Sequence, residues 1–186
     1  MKVPGRRKEG MSAQALLVEP AVAVADGEPF EDLYRRLFPR VYAYVATLLR
    51  DTSAAEEVTA QAFERAYRKR RQYKPGKGSA DAWLFGIARN AALDELRRLK
   101  RRAALETEPE DFAGETAEDA AERALRRETV RAAIATLEPA ERDLVALKFS
   151  AGLSNAEIAA VIGASETNAG TRLHRVIQKL RKACDA

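Results

Sequence analysis

The chain is poor in the residues that build most chemical sites. It has one cysteine, Cys184, near its C-terminus, so neither a disulfide framework nor a cysteine-based zinc cluster can form. It has one histidine, His174, set among arginines and lysines, which reads as a surface residue rather than a catalyst. No Gly-rich phosphate loop, nucleophile–base pair or metal-ligand cluster is present, which argues against an enzyme, and no cofactor or metal is expected. No apolar run approaches the ~20 residues that a membrane-spanning helix needs. The apolar stretch from Leu16 to Val24 is broken by Glu19 and Pro20 and makes a poor secretory signal. A reduced, cytoplasmic compartment is the simplest expectation, with no membrane insertion. Net charge excludes little: 32 basic against 28 acidic residues leave +4 on 186, so the distribution of charge matters more than its sum.

What the chain does have is helix-forming residues with few glycines, and this composition favours an all-α protein. The organising stretch runs from Gly152 to Lys182. Ser154 and Glu157 form a capping box, and Ile158, Ala159, Val161 and Ile162 give a short apolar face. Gly163 supplies a helix stop, and Ser165 can cap the next helix. That helix places Ala169, Leu173, Val176, Ile177 and Leu180 on one side and Arg172, His174, Arg175 and Lys179 elsewhere. Two helices joined by a tight turn, the second one basic, make a helix-turn-helix.

Upstream, residues 1–28 read as a flexible leader broken by Pro4, Gly5, Pro20 and Gly27, and Met11 is an alternative start to Met1. Residues 29–102 read as a first helical domain. Leu33, Leu37, Val41, Val45 and Leu48 recur at helical spacing, and Pro39 is expected to kink or divide that helix. A capping box of Ser53 and Glu56 opens a second helix, with Val58, Ala62 and Phe63 inward. Pro75, Gly76 and Gly78 mark a loop. A third helix starts near Ser79 and carries Trp83, whose apolar neighbours favour a core position.

Residues 103–127 form an acidic linker, in which Glu106 to Glu122 carries no lysine or arginine. Residues 128–186 form the second domain. Val130, Ile134 and Leu137 belong to a short helix. Pro139 fits the first position of the next, which is expected to bury Leu144, Val145, Leu147 and Phe149. The whole is expected to be two small helical domains joined by the linker.

The wording of three segments is more specific than their pattern. Gly-Leu-Ser-x-x-Glu-Ile-Ala from Gly152, Ile-Gly-Ala-Ser-Glu from Ile162 and Thr171-Arg172-Leu173-His174-Arg175 together resemble the promoter-binding C-terminal domain of extracytoplasmic-function (ECF) sigma factors. Ala82 to Arg98 resembles the promoter-melting helix of the same family, and Asp51 to Tyr67 its polymerase-binding helix. The resemblance covers about 30–182, in the family's order. It implies a non-catalytic subunit that directs core RNA polymerase to promoter DNA and initiates transcription, with an anti-sigma factor as a further partner.

The resemblance also assigns surfaces. It implies minus-ten contacts from Tyr73, Lys74, Lys77, Ser79, Arg89, Asn90, Arg97 and Arg98, with the 73–81 loop holding a flipped base. It implies minus-thirty-five contacts from Ser165, Thr167, Asn168, Thr171, Arg172, His174 and Arg175. Asn168 is the side chain suited to adenine, while Arg172 and Arg175 are suited to phosphates. It implies core-polymerase contacts from Glu57, Gln61, Glu64 and Arg65, and a linker that threads the RNA-exit path. The chain departs from the family pattern at Gly170, where a basic residue is usual, and at Ala60-Gln61, which stands for Gln-Glu. A stand-alone helix-turn-helix regulator would explain Gly152–Lys182 but not the upstream segments. A sigma-like module that only binds a partner is a further alternative.

Overall fold

The described residues form seven α-helices, most of which contribute to one apolar core. The computed structural model describes residues 28–103 and 121–184, so the leader and most of the linker lie outside the described residues. Helix α1 (Phe30–Leu49) buries Leu33, Leu37, Val41, Tyr44, Val45 and Leu48. It runs through Pro39 undivided. Proline there removes only the amide that would bond the carbonyl of Arg35, and Arg35 is exposed, where water can take that bond. Asp51, not Ser53, caps helix α2 (Thr52–Lys69), by accepting a hydrogen bond from the Ala54 amide at 2.9 Å. Helix α3 (Ala80–Ala103) begins after Ser79, whose hydroxyl accepts from the Ala82 amide.

Helix α4 (Ala121–Ala135) takes in the last residues of the expected linker. Its Val130 is exposed rather than inward, and Ala133 and Leu137 do the packing. Glu138 and Glu141 form a capping box around Pro139 at the start of helix α5 (Pro139–Val145). A π-helical turn, Ala146–Ser150, follows and is closed by the Ala151 amide on the Ala146 carbonyl. The wider turn shifts the register, and Phe149 comes out 64% exposed instead of buried.

Helix α6 (Asn155–Ile162) and helix α7 (Glu166–Cys184) follow the sequence reading closely. Ser154 and Glu157 form the expected capping box, and the Ser165 hydroxyl accepts from the Asn168 amide. Gly163 ends α6 at φ 70°, a left-handed conformation that glycine adopts without strain. Gly152, at φ 68°, turns the chain into α6 and lies against the Arg40 guanidinium.

The two halves do not stand apart. Buried residues of α1–α3 and of α5–α7 belong to a single contiguous cluster. Helix α6 packs on α3, and the π-turn packs on α1.

Candidate DNA and polymerase interfaces

The 73–81 loop is braced from within. The Tyr73 hydroxyl donates to the Gly78 carbonyl at 2.7 Å, and the Tyr73 and Trp83 rings meet edge-on with centroids 5.4 Å apart. Trp83 is half-buried at the base of the loop, where it packs against the edge of the core. Together with Lys74, Lys77, Ser79 and Ala160 these rings line an open cavity of about 220 Å³. That is below the ~300 Å³ floor of drug-sized sites and suits a single planar group. Lys74 and Lys77 are exposed and have no ion-pair partner among the described residues.

Before the loop, the Arg70 guanidinium stacks 3.9 Å above the Tyr67 ring and donates to the Tyr67 carbonyl.

On α3 the expected minus-ten residues separate into two sets. Asn90 is exposed, as are Arg97 and Arg98, which pair at 2.7 Å with Asp94 and Glu95 one turn away, Arg98 through two hydrogen bonds. Arg89 and Ser79 are held by the other half of the molecule. Arg89 donates to Asp143 Oδ2 at 2.7 Å, and the Ser79 hydroxyl donates to Glu157 Oε1 at 2.7 Å. Asp143 is almost wholly buried, and its second oxygen accepts from the Tyr44 hydroxyl at 2.8 Å. Burial first, and then the neighbouring Asp143 carboxylate, push the Tyr44 phenol well above its usual pKa.

Glu157 is partly buried, which works against its charge. Bonds from the Ser154 backbone and from the hydroxyls of Ser79 and Ser154 outweigh that, so its pKa lies below the ordinary value.

A second network ties α1 to both halves. Asp81 accepts from Arg36 and Arg40, and Arg40 also donates to the Ala151 carbonyl at 2.7 Å. Sequence reading missed Tyr44, Arg40, Asp81 and Asp143. The one signal for Asp143 was a carboxylate placed directly before the buried pair Leu144 and Val145.

The α7 surface is free by contrast. Ser165, Thr167, Asn168, Thr171, Arg172, His174 and Arg175 are all exposed, while Ala169, Leu173 and Val176 anchor the opposite side. Gly170 is helical, and a Cβ added there would meet only the Asn155 amide nitrogen, at 3.5 Å.

Helix α2 offers a third surface. Glu57, Glu64 and Arg65 are exposed and Gln61 is half-exposed, opposite the buried Val58, Ala62 and Phe63. Gln61 donates to Glu57 at 3.0 Å, and Glu64 pairs with Arg68. Tyr34 and Tyr67, both about two-fifths exposed, extend this surface with aromatic area.

Comparison with known proteins finds two family matches in the chain. Residues 33–102 match the model of Sigma-70 region 2, and residues 127–180 match Sigma-70, region 4. The chain is 36% identical over 157 residues to the RNA polymerase sigma factor CarQ of Myxococcus xanthus, covering 83% of this chain and 88% of that one. It is 28% identical to the ECF RNA polymerase sigma factor SigK of Mycobacterium tuberculosis, covering 88% and 90%. Among solved structures, the sigma factor RpoE of Bartonella quintana, in complex with the anti-sigma factor NepR, shares the fold at a TM-score of 0.70. That likeness has 21% identity and covers 84% of this chain and 97% of that one. CnrH, in complex with the cytosolic domain of CnrY, shares it at 0.62 with 24% identity, covering 84% and 88%.

Proposed function

Because the chain belongs to the sigma-70 family of RNA polymerase sigma factors, in its ECF subfamily, we propose a division of labour among its three exposed surfaces. The protein is a promoter-directing transcription initiation factor. Helix α2 docks on core polymerase through Glu57, Gln61, Glu64 and Arg65. The 73–81 loop and α3 take the minus-ten strand, with Lys74 and Lys77 on phosphates and the Tyr73–Trp83 cavity receiving a base. Helix α7 enters the major groove of the minus-thirty-five element.

The observation that carries this reading is the exposure of α7. Thr167, Asn168, Thr171, Arg172, His174 and Arg175 are exposed as a row on a helix anchored from behind by Leu173 and Val176. Phosphate contacts by Arg172 and Arg175 would fix the register, and Asn168 and Thr171 would read base edges.

Catalysis of phosphodiester formation is left to the polymerase; the chain contributes binding and strand separation. Removing a base from the stack costs a few kcal/mol, and the loop cavity and its lysines offset part of that. The compartment is the cytoplasm, where polymerase works, and no described helix is long and apolar enough to cross a membrane. An anti-sigma factor is a further partner, in keeping with the complexes in which the related folds are found. Run-off transcription with core polymerase, on the DNA upstream of the protein's own gene, tests the assignment. A defined transcript that requires both proteins is expected. A footprint by this protein alone, without core dependence, would instead identify a stand-alone regulator.

A further inference from the structure

Gly170 leaves a gap in the α7 surface, and a side chain of α6 stands beside it. Outside its own helix backbone and chain neighbours, a Cβ added at position 170 would meet only the amide nitrogen of Asn155, at 3.5 Å. Thr167 lies one turn before the gap, Thr171 and Arg172 follow it directly, and all three are exposed. The gap therefore opens at the edge of the row of minus-thirty-five candidates, where α7 borders the first residue of α6.

Asn155 is oriented by its other end. Lys148 Nζ lies 3.5 Å from Asn155 Oδ1 and donates to the Leu153 carbonyl at 3.3 Å. A lysine ammonium can only donate, so the Asn155 oxygen faces Lys148 and its amide nitrogen is left for the α7 side. That nitrogen makes no hydrogen bond among the described residues. The capping box of Ser154 and Glu157 fixes the backbone on which Asn155 stands.

We propose that Asn155 is a further DNA contact of the helix-turn-helix, donating its amide to a backbone phosphate that comes in over Gly170. Asparagine reads adenine by offering both ends of its amide, and Asn155 has one end engaged. A single donor with a cation behind it suits an anionic oxygen instead. The donor also comes from the first helix of the motif, outside the helix that enters the groove. Glycine has no side chain with which to read a base. Position 170 thus serves the backbone and helps to fix register, while the base it faces goes unread.

The inference rests on the assignment of α7 to the minus-thirty-five element. It is tested on the holoenzyme, the full chain with core polymerase, on promoter DNA from upstream of the protein's own gene. Asn155→Asp keeps the shape of the side chain and an oxygen on Lys148 but removes the donor. Asn155→Ala removes the whole amide. Both should weaken promoter binding about tenfold, the effect of losing one hydrogen bond to a charged group. The salt slope of Asn155→Ala should match that of the parent, because a neutral amide releases no counterion. Base preferences selected from a randomised minus-thirty-five library should also match. A purely structural role for Asn155 requires instead that Asn155→Asp, with its Lys148 contact intact, bind like the parent.

Gly170→Ala tests the opening itself. A methyl group 3.5 Å from the Asn155 nitrogen should hinder the phosphate and weaken binding about threefold in the parent, yet cost nothing further in Asn155→Ala. Parent-like binding by either Asn155 variant, a shifted base preference, or an equal cost of Gly170→Ala in both backgrounds overturns the proposal. Arg172→Gln with Arg175→Gln separates the two claims. Unchanged promoter binding in that variant removes the minus-thirty-five assignment of α7 itself. Weakened binding there, with parent-like Asn155 variants, removes only the Asn155 contact.

Discussion

Tyr44 and Asp143, 99 positions apart, share a buried hydrogen bond of 2.8 Å at the point where the two sigma regions of this chain meet. The phenol closes one side of a carboxylate whose other side is closed by Arg89. Tyr44, Asp143 and Arg89 thus form one chain of hydrogen bonds linking α1, α5 and α3.

Tyr44→Phe should therefore weaken the packing of the two halves. It leaves one Asp143 oxygen without a donor inside the protein, at a cost of about 1–3 kcal/mol. Urea unfolding should show a lower midpoint with the slope unchanged, and Tyr44→Phe combined with Asp143→Asn should cost less than the sum of the two. The phenol also gives a pH signature. Its folded pKa is raised above its unfolded value of ~10, so its contribution is complete below that pH and is lost as the solution becomes more alkaline. Stability of the parent should fall above pH ~10 more steeply than that of Tyr44→Phe. Parallel curves would show that the phenol does not titrate with docking.

Helix α2 should bind core polymerase through its polar face. Glu57→Lys with Arg65→Glu reverses two exposed charges and breaks the Gln61–Glu57 bond, but touches none of Val58, Ala62 or Phe63. Affinity for labelled core polymerase is expected to fall at least tenfold while the thermal midpoint moves by only a degree or two. An unchanged titration would take this face out of the polymerase interface.

Asn90 should act in melting rather than in first binding. It is exposed on α3, next to the sequestered Arg89, and its amide can pair with a base edge. Asn90→Ala should slow open-complex formation about tenfold and leave closed-complex affinity within twofold. Normal permanganate reactivity at the minus-ten element would exclude that role.

The helices and their caps were legible because they rest on local chemistry. Ser154, Glu157, Gly163, Ser165 and Pro139 each act within one turn of their own position, and the structure keeps all five in the expected roles. Asp51 took over from Ser53 because a carboxylate one residue before the helix reaches its first free amides directly. Phe149 was misread because an apolar residue at helical spacing is inward only if the turn stays α, and five residues of π-helix turned it out. The candidate DNA residues were legible as exposed polar groups, and all those on α7 are so placed. Arg89 and Ser79 were not separable from Asn90 and Lys77 by sequence, since what distinguishes them is a carboxylate supplied from 54 and 78 positions away. Docking between segments that distant leaves no periodic mark on either.

Gly170 offers a test of what α7 lacks. It stands in the middle of the helix at ordinary φ, and a methyl group there would make only normal van der Waals contact with the Asn155 amide. Nothing in the backbone requires glycine. Gly170→Ala should therefore stabilise the protein by about 0.5–1 kcal/mol, through helix propensity and a less flexible unfolded chain. If the glycine serves only to leave out a side chain, promoter binding by the holoenzyme should be unchanged in this variant. If it lets the DNA backbone approach α7 closely, the methyl group should reduce binding despite the gain in stability, and the two effects separate in opposite directions. Gly170→Arg carries the argument further. A cation added to this face should steepen the salt dependence of DNA binding by about one unit of slope. It should also change which base is preferred at one minus-thirty-five position, because an arginine there can take guanine bidentately. Selection from a randomised minus-thirty-five library would show whether that preference moves. A steeper salt slope with an unchanged sequence preference would place position 170 over phosphate rather than over a base.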